Sequence, residues 1–169
     1  MEFTPEYNPA SLKEKVQDIT KRLLALIMNI RSRQDISPET LEKYMGQKAW
    51  VDPNNENSYG VSVELTEEWW CVLQSTALGM PGEPTGLAFE FNEQTHSGAD
   101  MSPVCVPLED VSEPLIAAGF TAERFRNRHN TQDFWMFERD TIGVTVYLRG
   151  KTEPLDATHA CVSMVSIGT

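Results

Sequence analysis

The sequence predicts an α+β fold: N-terminal helices packed on a mostly antiparallel β-sheet. Apolar residues recur at steps of three and four in the first fifth of the chain, the period of a helix face. From about residue 59 the period becomes two, that of a half-buried strand. The last predicted strands are joined by connections short enough for a meander. The chain has 169 residues, 40% hydrophobic and 23% charged, a globular composition with enough length for a real core. One domain over residues 1–169 is expected, with a helical part at 9–48 and a sheet-rich part at 59–169.

The first helix is expected from about Ser11 to Arg33. Ser11 followed by Glu14 has the form of a capping box. Leu12, Val16, Ile19, Leu23, Leu26 and Ile30 make its apolar stripe, and Lys13, Lys21, Arg22 and Arg31 lie off it. The stripe suits a core-packing helix. Its heptad-like spacing also suits a dimer seam, although about three repeats are too few for a coiled coil. A second helix opens at Ser37-Pro38, a cap followed by proline at the first helical position, and stops at Gly46. Asp52 to Asn57 is rich in turn formers.

Strands follow where apolar and polar residues alternate: Val61 to Leu65 and Leu87 to Asn92. Between them, Trp69 to Leu78 reads as a strand because aromatic and β-branched residues lead it. Gly79 to Gly86 is a loop, and Asn92 to Pro107 a long irregular connection of the kind that often carries function. A short helix is expected near Val111 to Ala118, capped by Ser112, with Pro114 in its first turn and Gly119 as its stop. The last strands fall near Ala122–Arg128, Phe134–Arg139, Gly143–Arg149 and Ala160–Ile167. In the final one, Cys161, Ser163, Val165 and Ile167 are expected on one face. A helix followed by strands occurs twice, without a sequence repeat.

Charge is the feature that points outward. Residues 49–123 hold 13 acidic side chains and no lysine or arginine, although the chain has 14 basic residues. The net charge of −11 therefore resides in the middle of the chain. A surface of one sign selects partners of the other. Nucleic acid is disfavoured, because phosphate contacts require clustered Lys and Arg. Arg124, Arg126 and Arg128 alternate on one predicted strand face, where they suit either an anion or the chain's own carboxylates. No stretch is apolar enough to span a membrane, and Met1 to Pro5 does not begin a secretory signal. Cys71, Cys105 and Cys161 have neither metal nor disulfide-framework spacing. Their apolar neighbours suggest buried reduced thiols and a cytoplasmic protein.

No catalytic signature is visible. The glycines do not form a phosphate loop. His96, His129 and His159 lie beside no nucleophile pattern. Glu90, Glu93, His96 and Asp100 are the densest potential ligand set, but they match no calcium loop, so no metal or cofactor is expected. Glu67 and Glu68 point apart and read as surface charge.

The partner-binding set is therefore Glu64, Glu67, Glu68, Trp69, Trp70, Glu90, Glu93 and Asp100. On a strand one of the two tryptophans faces outward, and an exposed Trp among carboxylates is a candidate anchor. A small acidic protein with no active site and one single-sign stretch resembles bacterial immunity proteins. That resemblance implies a non-catalytic toxin inhibitor, a monomer or weak homodimer, that covers the basic cleft of a protein partner. A cytoplasmic secretion chaperone dimerising through its first helix, and an enzyme with a dispersed site, are the alternatives.

Overall fold

The computed structural model describes residues 9–77, 82–95, 99–126, 133–150 and 160–169. Helix α1 (Pro9–Asn29) begins before Ser11, so Ser11 and Glu14 lie inside it and do not cap it. It ends four residues before the expected Arg33. The Asn29 side-chain amide donates to the Ala25 carbonyl at 2.7 Å. The Asp35 carboxylate then accepts the N–H groups of Arg31 and Ser32 at 2.7 and 3.1 Å, which turns the chain into a 3-10 turn at Arg33–Asp35. Helix α2 (Pro38–Met45) starts as its sequence predicts. Ser37 Oγ accepts the Thr40 N–H at 3.1 Å, and Gly46 ends the helix at φ 69°, where a Cβ would be strained.

The apolar stripe of α1 is wholly consumed by the core. Leu12, Val16, Ile19, Leu23, Leu26 and Ile30 are all at most 5% exposed. The expectation of a dimer seam is thus overturned: the residues that would form it already pack against the sheet.

Eight strands follow: β1 (Trp50–Asp52), β2 (Asn55–Glu64), β3 (Trp69–Thr76), β4 (Gly86–Glu93), β5 (Thr121–Arg126), β6 (Asp133–Arg139), β7 (Ile142–Gly150) and β8 (Ala160–Gly168). They form one antiparallel sheet in the order β1-β2-β3-β4-β8-β7-β6-β5. Each half of the chain contributes helix and then a four-stranded meander. The two meanders meet at β4 and β8, the last strand of each. The helix-then-strands recurrence visible in sequence is thus an architectural repeat.

Helix α3 (Glu109–Ala117) starts two residues earlier than expected. Ser112 is therefore not its cap, and its N–H donates to the Leu108 carbonyl. Pro114 sits in the interior, where it removes one helical hydrogen bond. Gly119 does stop the helix, at φ 96°.

All three helices lie on one side of the sheet, since α2 and α3 both pack on α1. Their buried residues share one core with Val61, Leu73, Phe89, Phe137, Val146 and Val165. Arg139 fastens this layer. It donates to the carbonyls of Met28 at the end of α1 and Ala118 at the end of α3, each at 3.0 Å. Its guanidinium also lies 4.5 Å from the centroid of Phe120. A cation at two helix C-termini meets the negative ends of both dipoles.

The alternation expected for β8 fails at one point. The register shifts between Tyr147 and Leu148, so Tyr147 pairs with Met164 but Leu148 with Val162. Ser163 is the extra residue, and a bulge of this kind moves the residues beyond it to the opposite face. Cys161 and Val162 are consequently both buried, at 0% and 2%. Arg124 spends its charge on Asp133, which accepts both from its Nε and from its terminal nitrogen; the Arg126 side chain and Arg128 lie outside the described residues.

Leu26 is fully buried. Leu26→Ala is expected to lower the unfolding free energy by about 2–5 kcal/mol, whereas the exposed Lys21→Ala should stay within about 0.5 kcal/mol of wild type. Urea denaturation of the three proteins measures both.

Candidate functional site

The face of the sheet opposite the helices carries a single row of side chains across seven strands. In register order it runs Phe125 (β5), Phe134 (β6), Tyr147 (β7), Met164 (β8), Glu90 (β4), Val72 (β3) and Ser62 (β2). Trp50 of β1 extends it, its indole N–H donating to Ser62 Oγ at 3.3 Å. Gly60 makes that possible, since a Cβ there would sit 2.8 Å from the Trp50 ring. Phe125 and Phe134 stack at 5.2 Å, and Phe134 lies 5.7 Å from Tyr147. None of these residues belongs to the core, and neither does Val72 although it is buried. Among the described residues no helix covers them.

Apart from Arg149 at one end, the charges of the described strand residues on this face are acidic. Glu64, Glu90, Glu123 and Glu138 project from it, as their pairing with Trp70, Val72, Met136 and Thr121 requires. The other cations of the strands are elsewhere. Arg124 and Arg139 are on the helix side, and Arg149 stands at one end of the face, donating to the Ala99 carbonyl.

At that end the sheet opens. The pairing of β4 with β8 stops at Glu90 and Met164, although β4 continues to Glu93 and β8 begins at Ala160. The two meanders part there and leave a cleft of about 600 Å³. Trp70 and Tyr147 are on its walls, with Glu90, Asn92 and Met164 between them. The connection from β4 to α3 fills the other side of the opening. Met101 and Val104 are buried, the Val162 N–H donates to the Val106 carbonyl at 2.8 Å, and Cys105 is disulfide-bonded to Cys161.

The disulfide corrects the expectation of three reduced thiols. Spacing in sequence gave no hint of it, because the two cysteines are 56 residues apart and meet only through the sheet. Cys71 alone matches that expectation. It is a buried free thiol, pushed up to about 12 by burial. Tyr59 is also raised to about 12, by burial and then by the field of Glu39.

The expected site residues do not all meet. Trp70, Glu64 and Glu90 share the helix-free face, and Glu93 borders the cleft with its carboxylate accepting from Thr95. Trp69 is 5% exposed and part of the core, so only Trp70 is offered outward. Glu67 and Glu68 are exposed in the β2–β3 turn beside the cleft. Asp100 lies on the β4–α3 connection and accepts from Ser102. The aromatic row of Phe125, Phe134 and Tyr147 was not foreseen. Each residue falls on a predicted strand, but only the register aligns them. His96, His129 and His159 lie outside the described residues. Among those described, no three His, Cys, Asp or Glu side chains converge on a metal site. Among the described residues no helix is long and apolar enough to cross a membrane.

Comparison with protein-family models, curated proteins and solved structures gave no match.

Two outcomes follow from the cysteines and Tyr59. A thiol reagent should find no reactive group in the folded protein, one after unfolding, and three after unfolding with reductant. Alkaline stability is the second. The neutral forms of the Cys71 thiol and Tyr59 phenol are favoured by folding, so their contribution is full below their ordinary values, roughly 8.5 and 10, and is lost as pH climbs toward 12. Urea midpoints should therefore fall between about pH 9 and 11, and less steeply in Tyr59→Phe.

Proposed function

We propose that this chain is a non-catalytic binding protein that docks a basic protein partner on the helix-free face of its sheet. The observation that carries it is the aromatic row edged by Glu64, Glu90, Glu123 and Glu138, with no lysine or arginine among the described strand residues of that face except Arg149 at its end. Half-buried aromatic rings supply contact area at low cost in side-chain entropy, and Trp and Tyr are favoured anchors. Carboxylates around them attract and orient a cationic surface. In the immunity-protein form of this function, the partner is a toxin whose basic cleft the sheet covers.

The Cys105–Cys161 disulfide supports an oxidising compartment for that work, where such bonds persist. The cytoplasmic expectation rested on reduced cysteines and loses that support. The secretion-chaperone alternative loses its support with the burial of the α1 stripe.

The test uses the partner that the wild-type protein retains from its native source. Glu64→Lys, Glu123→Lys and Glu138→Lys combined should slow association at least tenfold and leave the melting temperature nearly unchanged. Wild-type association should itself slow by about tenfold or more from 0.05 to 0.5 M salt. A partner footprint on α1 to α3, seen by amide exchange, or a salt-independent association rate, sinks the proposal.

A further inference from the structure

We infer that the cleft between β4 and β8 is a receptor for one guanidinium group, an arginine side chain of the docked partner. The inference rests on the docking function above and specifies its anchor.

The floor of the cleft is the Glu90 carboxylate, among both aromatic and polar side chains. Glu90 is half-buried, and its register neighbours are Val72 on β3 and Met164 on β8. Among the described residues no lysine or arginine pairs with it. Arg149 also lines the cleft, and its guanidinium donates to the Ala99 carbonyl. A carboxylate so placed attracts a cation more strongly than one in open water, because the surrounding dielectric is lower.

The walls are aromatic. Trp70 pairs with Asn92, and Glu90 follows two residues along the same strand, so the indole stands one diagonal step from the carboxylate. Tyr147 lies on the other side, next to Met164. A ring beside a carboxylate is the chemistry that holds a cation: the ring face attracts its charge, and the carboxylate takes its N–H groups. Guanidinium fits better than ammonium for three reasons. It is planar and stacks on indole, it is weakly hydrated, and its paired N–H groups match a carboxylate. Asn92 adds an amide oxygen as a further acceptor. About 600 Å³ leaves room for the side chain together with the backbone that carries it.

The opening is held in place by the fold. The two strands diverge above Glu90 and Met164, and the disulfide with the Val162 to Val106 hydrogen bond prevents β8 from closing onto β4. A receptor formed in advance loses little entropy on binding.

The experiment titrates the whole protein with N-acetyl-arginine methylamide and follows backbone amides and the Trp70 indole by NMR. Lysine and citrulline analogues serve as the ammonium and neutral controls. Saturable shifts at Trp70, Asn92 and Tyr147 are expected with arginine. Affinity for lysine should be several-fold weaker, and citrulline should give no saturable shift. Glu90→Gln, which keeps size and shape, should weaken arginine at least tenfold at an unchanged melting temperature. Equal binding of citrulline and arginine, shifts confined to other surfaces, or full affinity in Glu90→Gln overturns the inference. The lysine triple variant at 64, 123 and 138 separates the two proposals, since it spares Glu90 and Asn92. If the arginine probe fails while the partner still footprints on the sheet, the receptor falls and docking stands. If the probe binds while the partner footprints on the helices, docking falls and the cleft remains an arginine site without that partner.

Discussion

Five residue pairs, from Gly86 with Gly168 to Glu90 with Met164, join the two halves of this protein into one sheet. The C-terminal meander has only the nine-residue α3 of its own, which is too small to cover β5 to β8. Joined, the two meanders present one apolar surface, with Phe89 and Val165 at its centre, on which α1 lies. The closeness of the junction is visible at Gly86, where a Cβ would come within 2.3 Å of the Ile167 carbonyl. The same junction is incomplete at one end, and that incompleteness makes the cleft. Core and candidate site thus have one origin: strands that pair far enough to make a sheet and then separate.

The charge asymmetry of the sequence takes a different form in three dimensions. The 13 acidic residues of 49–123 do not share a face. Glu109, Asp110 and Glu113 are on α3, and Asp52 and Glu56 are in the β1–β2 hairpin. What distinguishes the helix-free face is the placement of the cations. Arg124 and Arg139 alternate to the helix side, and Lys13, Lys15, Lys21 and Arg22 stand exposed on α1. Single exposed charges contribute little to stability. Their sum still shapes the field around the chain, and among the described strand residues of this face four carboxylates stand against one arginine, Arg149.

Much of the fold was legible because its signals are local. The α1 stripe, the Ser37-Pro38 start with its Gly46 stop, and the two-residue alternation of β2, β4 and β7 each depend on neighbours a few residues away. The adjacent tryptophans resolved by the same rule, Trp69 inward and Trp70 outward. What failed was either a choice between similar caps or a long-range event. Ser11 and Ser112 both had the composition of caps, but α1 begins at Pro9 and α3 at Glu109. The bulge at Ser163, the pairing of β4 with β8 and the Cys105–Cys161 bond join residues tens of positions apart, and no short-range pattern encodes them. The aromatic row is of this kind. Phe125, Phe134 and Tyr147 are ordinary strand residues until the register lines them up.

The disulfide also decides how this chain would carry load. It closes a ring around α3, β5, β6 and β7, its ends 56 positions apart in sequence. Tension applied through the two termini passes from Cys105 directly to Cys161 and bypasses everything enclosed. At roughly 3.4 Å per extended residue, about 190 Å of chain is withheld from stretching. Those enclosed strands supply Phe125, Phe134 and Tyr147. A pull that stripped α1 or peeled β1 to β3 would leave the aromatic end of the helix-free face inside an intact covalent loop. Its resistance to force is therefore set by a bond, while that of the glutamate-bearing N-terminal meander is set by hydrogen bonds and packing.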